Sequence, residues 1–323
     1  MSKPKVIITR KRPAEAEAKM KEHFDVVLSD DDHPMSVEEL QDAFKNADAV
    51  CPTVTDKITA EVMDADPRQT KIIGNFGVGF NNIDINAAKE RGLIVTNTPE
   101  VLTDCTADIA MTLLLTAARR TGEGERHVRN KEWTGWRPTH MLAIKVTGKT
   151  LGLVGFGRIA QAMAHRAHFG FGMKIIFHDP FPPSKEVMNR YGAVQCDSPE
   201  AVLEQADFVS LHCPGGEKTR HLINAERLKK MQSHAILVNS ARGDVVDEQA
   251  LIKALKDGTI AGAGLDVFEN EPRVTEDLLD MENVVLLPHL GSASTETRVA
   301  MGLRVFANIK AFFDGEVIPD RVV

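Results

Sequence analysis

Three ionisable side chains lie far apart in the chain, each next to a glycine or a proline. They are Arg242 in VNSARGDVVDE, Glu271 in DVFENEP and His289 in VVLLPH. Imidazole titrates near neutral pH, so His289 is a candidate acid/base. A carboxylate beside it would favour imidazolium and fix its tautomer, the role open to Glu271. A guanidinium can hold a carboxylate and a carbonyl oxygen through two parallel hydrogen bonds, the role open to Arg242. Reduction of a carbonyl needs these three functions: a polarised oxygen, a proton and a donor held in place. Each residue also has a plainer reading. His289 is one of 11 histidines. Arg242 could be a surface cation near Asp244, and Glu271 a solvated turn residue with Glu269 its equal competitor.

A hydride source is suggested by LGLVGFGRIAQ (151–161). Gly155-x-Gly157-x-x-Ala160 follows an apolar run and opens a helical pattern, the context a dinucleotide fingerprint requires. Gly155 would permit the tight turn, and Gly157 would let the backbone approach a pyrophosphate at the helix N-terminus. Alone, this is equally a glycine turn between strand and helix. Asp179 shifts the balance, ending the next apolar run 22 residues after Gly157. There it would accept hydrogen bonds from an adenosine ribose and repel a 2′-phosphate. No Arg or Lys follows until Lys185, so NAD(H) is expected in preference to NADP(H). His165 and His168 have metal-ligand spacing, but no Cys or carboxylate cluster joins them, and no metal is expected.

Positioning such residues requires a scaffold. At 323 residues two domains are expected. Short apolar runs alternate with helical patterns in the first hundred residues (KVIIT, FDVVL, ADAVC, KIIGN, LIVTN), with a helix over PAEAEAKMKEHF and another starting near Ser36, Glu38 and Glu39. A long helical pattern spans 103–120, and a polar stretch with Trp133 and Trp136 runs to Gly148. The alternation then resumes through LGLVGFG, MKIIFHD, DFVSLHC, AILVNSA, AGAGLDVF and NVVLLPH, and closes on a helix over 295–315. Alternating elements imply α/β architecture with parallel sheets. The later runs end in Gly155 and Gly157, Asp179, Cys213, Asn239 to Arg242, Asp266 and His289, which places them along one crevice at the carboxyl edge of a sheet.

Composition excludes several other classes. The balance of 46 acidic and 39 basic residues is mixed along the chain, with no basic stripe for nucleic acid. Four scattered cysteines form no CxxC pair, which fits reduced thiols. No signal-peptide core follows the N-terminus, and IAMTLLLTAA is too short to span a bilayer. A cytoplasmic chain without a membrane partner is expected.

With these motifs in hand, the chain resembles the D-isomer-specific 2-hydroxyacid dehydrogenases over essentially its full length. The matching segments are NFGVGFNNID (75–84), the helix 103–120, LGLVGFGRIAQ, LHCPGGEKTRHLI (211–223), VNSARGDVVDEQAL (238–251), AGAGLDVFENEP (261–272) and LLPHLGSAS (286–294). The resemblance implies two doubly wound domains. A Rossmann NAD-binding domain (103–289) would be inserted into a flavodoxin-like substrate domain (1–102 and 290–323), with the active site in the cleft between them. It assigns substrate binding to Arg242, acid/base chemistry to His289 and the supporting carboxylate to Glu271. Backbone N–H groups around Val78 and Gly79 would hold the substrate carboxylate. Arg158 and Ile159 would meet the pyrophosphate and Asp266 the nicotinamide carboxamide. Thr106, Cys213, Pro214 and Thr219 would line the cofactor site, with Ser292 near it.

Residues 118–138 look most like the D-glycerate dehydrogenase branch, the hydroxypyruvate or glyoxylate reductases. That implies NADH-dependent reduction of a small 2-oxoacid by a homodimer. A larger 2-oxoacid, such as phenylpyruvate or 2-oxoisocaproate, and a nucleotide-sensing protein of the same fold are the alternatives. Trp136, or His140 or Met141 beside it, would either shape the substrate pocket or pack in a dimer. Ala160 and Asn75 depart from the family pattern, and Asn75 leaves the substrate's size open.

Overall fold

The computed structural model describes residues 3–29 and 32–323. Met1 and Ser2, which begin the stretch read above for a leader, lie outside the described residues. The chain divides into two compact units: Met1–Leu102 with Ser292–Val323, and Thr103–Gly291.

In the first unit five parallel strands, β1 (Lys5–Ile8), β2 (Asp25–Leu28), β3 (Ala49–Cys51), β4 (Ile72–Gly74) and β5 (Ile94–Thr96), form a sheet in the order β2-β1-β3-β4-β5. This is the flavodoxin-like order. The central strands β3 and β4 are buried along their whole length, whereas the edge strand β2 is partly exposed. That is why the central runs read as continuously apolar and not as alternating. Helix Val37–Asn46 starts at Ser36 as expected: the Ser36 hydroxyl accepts the Glu39 N–H, and the Glu39 carboxylate accepts the Ser36 N–H. This reciprocal cap satisfies two otherwise orphaned donors. Its buried Leu40, Ala43 and Phe44 recur at i, i+3 and i+4, one helical face. The final helix, Thr295–Asp314, lies against β4, where a Cβ added to Gly74 would meet Val305 and Ile309 at 3.0 Å.

The second unit holds seven parallel strands: β6 (Thr150–Val154), β7 (Lys174–His178), β8 (Val194–Gln195), β9 (Phe208–Leu211), β10 (Ile236–Asn239), β11 (Gly262–Leu265) and β12 (Val284–Leu286). Their order is β12-β11-β10-β9-β6-β7-β8. Helix Thr103–Arg119 covers β10 and β11 with Ala110, Leu113 and Leu114 buried beneath it. Because every strand is parallel, the polar residues that follow them emerge at one edge.

Strand β8 and helix Thr121–Arg129 are among the elements with no counterpart in the sequence pattern. Strand β8 is two exposed residues at the sheet edge, too short to leave a period. Helix Thr121–Arg129 buries no side chain and so carries no apolar stripe. Charge pairs on its own surface, Arg120–Glu123 and Arg129–Glu125, support it instead.

Candidate active site

The turn after β6 lies at the point where the sheet order reverses, since β6 has β7 on one side and β9 on the other. Gly155 has φ +89°, and a Cβ there would fall 2.9 Å from the backbone of His212 and Cys213 at the end of β9. Only glycine satisfies both conditions. Gly157 is the opposite case, because its absent Cβ would meet nothing within 4 Å. It caps helix Arg158–His165 without any side-chain hydrogen bond. A nucleotide pyrophosphate fits this cradle at the start of the helix that Arg158 and Ile159 open. Asp179, after β7, accepts the Phe156 N–H at 2.7 Å through one oxygen and the Phe181 N–H at 2.8 Å through the other. The carboxylate is thereby fixed beside the turn.

At the opposite side of the same edge, after β11 and β12, the His289 Nδ1 lies 2.8 Å from a Glu271 carboxylate oxygen, both side chains about one-third exposed. The other Glu271 oxygen accepts the Phe268 N–H at 3.0 Å. Burial pushes the Glu271 pKa up, but the His289 hydrogen bond and charge, the Phe268 N–H and Arg242 outweigh it and hold the carboxyl below the ordinary glutamate range. Glu271 is anionic at neutral pH. The choice left open between Glu269 and Glu271 is settled by partners, because Glu269 accepts from His221 at 2.7 Å and Arg220 at 3.0 Å.

Arg242, after β10, is partly buried. That burial lowers its pKa against the opposing pull of Glu271 and Asp244. Its guanidinium donates to the Ala241 carbonyl at 2.6 Å, and no carboxylate contacts it among the described residues. The adjacent Gly243 packs directly under the Phe268–Glu269 peptide: a Cβ there would overlap the Phe268 oxygen at 1.9 Å. This close approach brings Arg242 into the electrostatic reach of Glu271.

His289 is held in the left-handed region (φ +55°), and its N–H donates to the Asp266 carbonyl at 2.9 Å. Asp266 is fully buried, and its carboxylate accepts the N–H groups of Leu290 at 2.6 Å and Gly291 at 2.7 Å. Asp266 therefore fixes the turn that presents His289, a role the strand-end position alone did not suggest. Thr106 is buried against Gly291. Burial pushes the Cys213 thiol up to about 11, so Cys213 is uncharged at neutral pH. The Pro214 carbonyl accepts the Thr219 hydroxyl at 2.6 Å.

Trp136 is separate from this group. It is 81% exposed and lines an open groove with Arg119, His140, Met141 and Phe171. His165 and His168 pack with Phe169 and Tyr191. No cluster of three potential metal ligands occurs among the described residues. No helix among them is long and apolar enough to cross a membrane.

In the first unit, Val78 and Gly79 lie in the loop after β4, and the carbonyls of this loop are tied back. The Gly77 oxygen accepts the Thr98 N–H at 3.0 Å, the Val78 oxygen accepts the Asn97 amide at 2.8 Å, and the Gly79 oxygen accepts the Asn75 amide at 3.0 Å. Arg12 stacks 4.1 Å over the Phe76 ring and donates to the Cys51 and Pro52 carbonyls, bracing the loop's first residue. In the sequence Asn75 stands out only as a departure from the family pattern, and Asn97 not at all, because an amide bonding a carbonyl across the chain leaves no periodic signal.

A family model for the D-isomer-specific 2-hydroxyacid dehydrogenase NAD-binding domain matches residues 111–291, which assigns a nicotinamide cofactor to the second unit. The chain is 48% identical over 322 residues to a glyoxylate reductase of Korarchaeum cryptofilum, covering 99% of this chain and 96% of that one. It is 41% identical over 315 residues to a glycerate dehydrogenase of Hyphomicrobium methylovorum, covering 98% of each. The crystal structure of an NADPH-dependent glyoxylate/hydroxypyruvate reductase of Sinorhizobium meliloti, bound to NADP and malonate, superposes with a TM-score of 0.89 at 36% identity. That match covers 100% of this chain and 97% of the other. The paired His289 and Glu271, the glycine cradle after β6 and this likeness along the whole sequence agree: the chain belongs to the D-isomer-specific 2-hydroxyacid dehydrogenase family.

Proposed function

We propose that the protein reduces a small 2-oxoacid, glyoxylate or hydroxypyruvate, to its 2-hydroxy acid with NADH. The observation that carries this reading is the 2.8 Å His289–Glu271 pair with the half-buried Arg242 in electrostatic reach of Glu271. The names of the relatives indicate the substrate class. When bound, NADH supplies the hydride that the substrate's C2 accepts. The Val78 and Gly79 N–H groups hold the substrate carboxylate. Arg242 grips the carboxylate and carbonyl oxygens through two parallel hydrogen bonds. Protonated His289 gives its proton to the carbonyl oxygen, and anionic Glu271 offsets the imidazolium charge and fixes the ring. Thr106, Cys213, Pro214, Thr219, Asp266 and Ser292 surround the cofactor. The unit containing Val78 serves as the substrate domain, and the chain works as a cytoplasmic homodimer, with Trp136 near the pocket or the dimer contact.

Glu271→Gln tests the supporting carboxylate. Without the anion, the His289 ring loses the acceptor that orients it and the charge that offsets its own. Turnover in the reductive direction should therefore drop about tenfold, with NADH affinity unchanged. Undiminished turnover would remove Glu271 from the account.

Cofactor choice tests Asp179. Its carboxylate is fixed by two backbone donors and would face a 2′-phosphate with like charge. Initial rates with glyoxylate and hydroxypyruvate should give kcat/KM for NADH at least about tenfold above that for NADPH, a difference of one pairwise repulsion. Equal or higher efficiency with NADPH, the cofactor named for the Sinorhizobium relative, would contradict the assignment.

A further inference from the structure

We infer that Asn75, Asn82 and Asn97 are positioning residues that hold the Gly77–Gly79 loop as a preformed anion site. The inference rests on the reading that this loop receives the substrate carboxylate. A peptide can present its N–H to an anion only if its own carbonyl is directed away, and three amide side chains from three parts of the first unit enforce this.

Asn75, fully buried after β4, donates to the Gly79 carbonyl at 3.0 Å and the Gly77 carbonyl at 3.5 Å. Asn82 donates to the Asn75 side-chain oxygen at 3.1 Å, orienting that amide. It also reaches the Thr53 carbonyl at 3.0 Å and the Asp56 carbonyl at 3.3 Å. Asn97 donates to the Val78 carbonyl at 2.8 Å. Its own carbonyl accepts from Asn308 at 3.2 Å, and its N–H donates to the Asp320 carbonyl at 3.3 Å. Every carbonyl from 77 to 79 is thus engaged. Among the described residues, the N–H groups of Gly77, Val78, Gly79 and Phe80 donate to nothing.

Successive N–H groups freed on one side of a turn make a concave anion receptor. Asn82 Oδ1 and Thr98 Oγ1 lie buried beside this loop with no protein partner among the described residues. A prearranged receptor loses less entropy on binding than one that must order around its ligand. The asparagines therefore act on anion affinity and not on the proton or hydride.

Oxalate is a suitable probe, because it carries the carboxylate and adjoining oxygens of a 2-oxoacid and is not reduced. Its dissociation constant should be measured by calorimetry on the full-length wild type, Asn75→Ala and Asn97→Ala. Each variant should weaken oxalate about tenfold, the loss of one well-placed hydrogen bond. KM for glyoxylate should rise in parallel, while kcat, its pH profile and NADH affinity stay unchanged. Asn97 is partly exposed, so its variant keeps the test available if Asn75→Ala does not fold. Unaltered oxalate affinity in a folded variant overturns the inference. So does a loss of NADH affinity in step with oxalate, which marks general disruption. Wild-type oxalate binding without glyoxylate turnover would leave the loop's role standing and reject the substrate reading instead.

Discussion

Replacing His289 by asparagine should lower kcat for glyoxylate reduction about 10²–10⁴-fold, the usual contribution of a general acid. NADH affinity, measured by fluorescence titration, should hardly change. Asparagine suits this position because His289 occupies the left-handed region at φ +55°, which asparagine tolerates better than most residues. The backbone bond from residue 289 to the Asp266 carbonyl and the clamp of Asp266 on Leu290 and Gly291 do not depend on the imidazole. The turn therefore persists, and the loss is chemical. The deficit should also be kinetic and not a matter of substrate affinity, since the proton is delivered only as the carbonyl oxygen gains charge. A variant with near-normal kcat would show that water or another group protonates the product.

Arg242→Met should reduce kcat/KM for glyoxylate about 10²–10³-fold, comparable to removing a donor to developing negative charge. Part should appear in KM, through the lost grip on the carboxylate, and part in kcat, through the lost polarisation of the carbonyl. Methionine matches the length of the buried stem, and no carboxylate loses a direct partner, so the melting temperature should stay close to that of the wild type. Arg242→Lys should recover only a fraction of the activity, because an ammonium cannot form two parallel bonds. Full activity in the lysine variant would mean that charge alone suffices and that the bidentate geometry is not used.

The sequence exposed those features of the fold that repeat or that constrain the backbone. The buried parallel strands declared themselves as apolar runs such as AVC and FVSL, and the Ser36–Glu39 cap by its spacing. The turn at Gly155 showed as glycines between a strand and a helix. The strand-end residues Asp179, Arg242, Asp266 and His289 could be aligned along one edge because parallel connectivity leaves no other arrangement. Pairing was harder to read. Glu269 and Glu271 are chemically identical and two residues apart, and only the course of the chain after β11 sends one to His221 and the other to His289. Asn82 and Asn97 were equally silent, and Asn75 showed only as a departure from the family pattern, since their function lies in which carbonyl each amide reaches. Helix Thr121–Arg129 was missed because burial writes the amphipathic signal, and this helix buries nothing. The family likeness supplied Val78 and Gly79, whose backbone chemistry does not depend on side-chain type.

The central claim is tested most directly by following hydroxypyruvate with NADH and the wild-type protein to completion. The account predicts one glycerate formed per NADH consumed, all of it the D-isomer by chiral separation. Absence of NADH oxidation with both hydroxypyruvate and glyoxylate, or formation of the L-isomer, would contradict it.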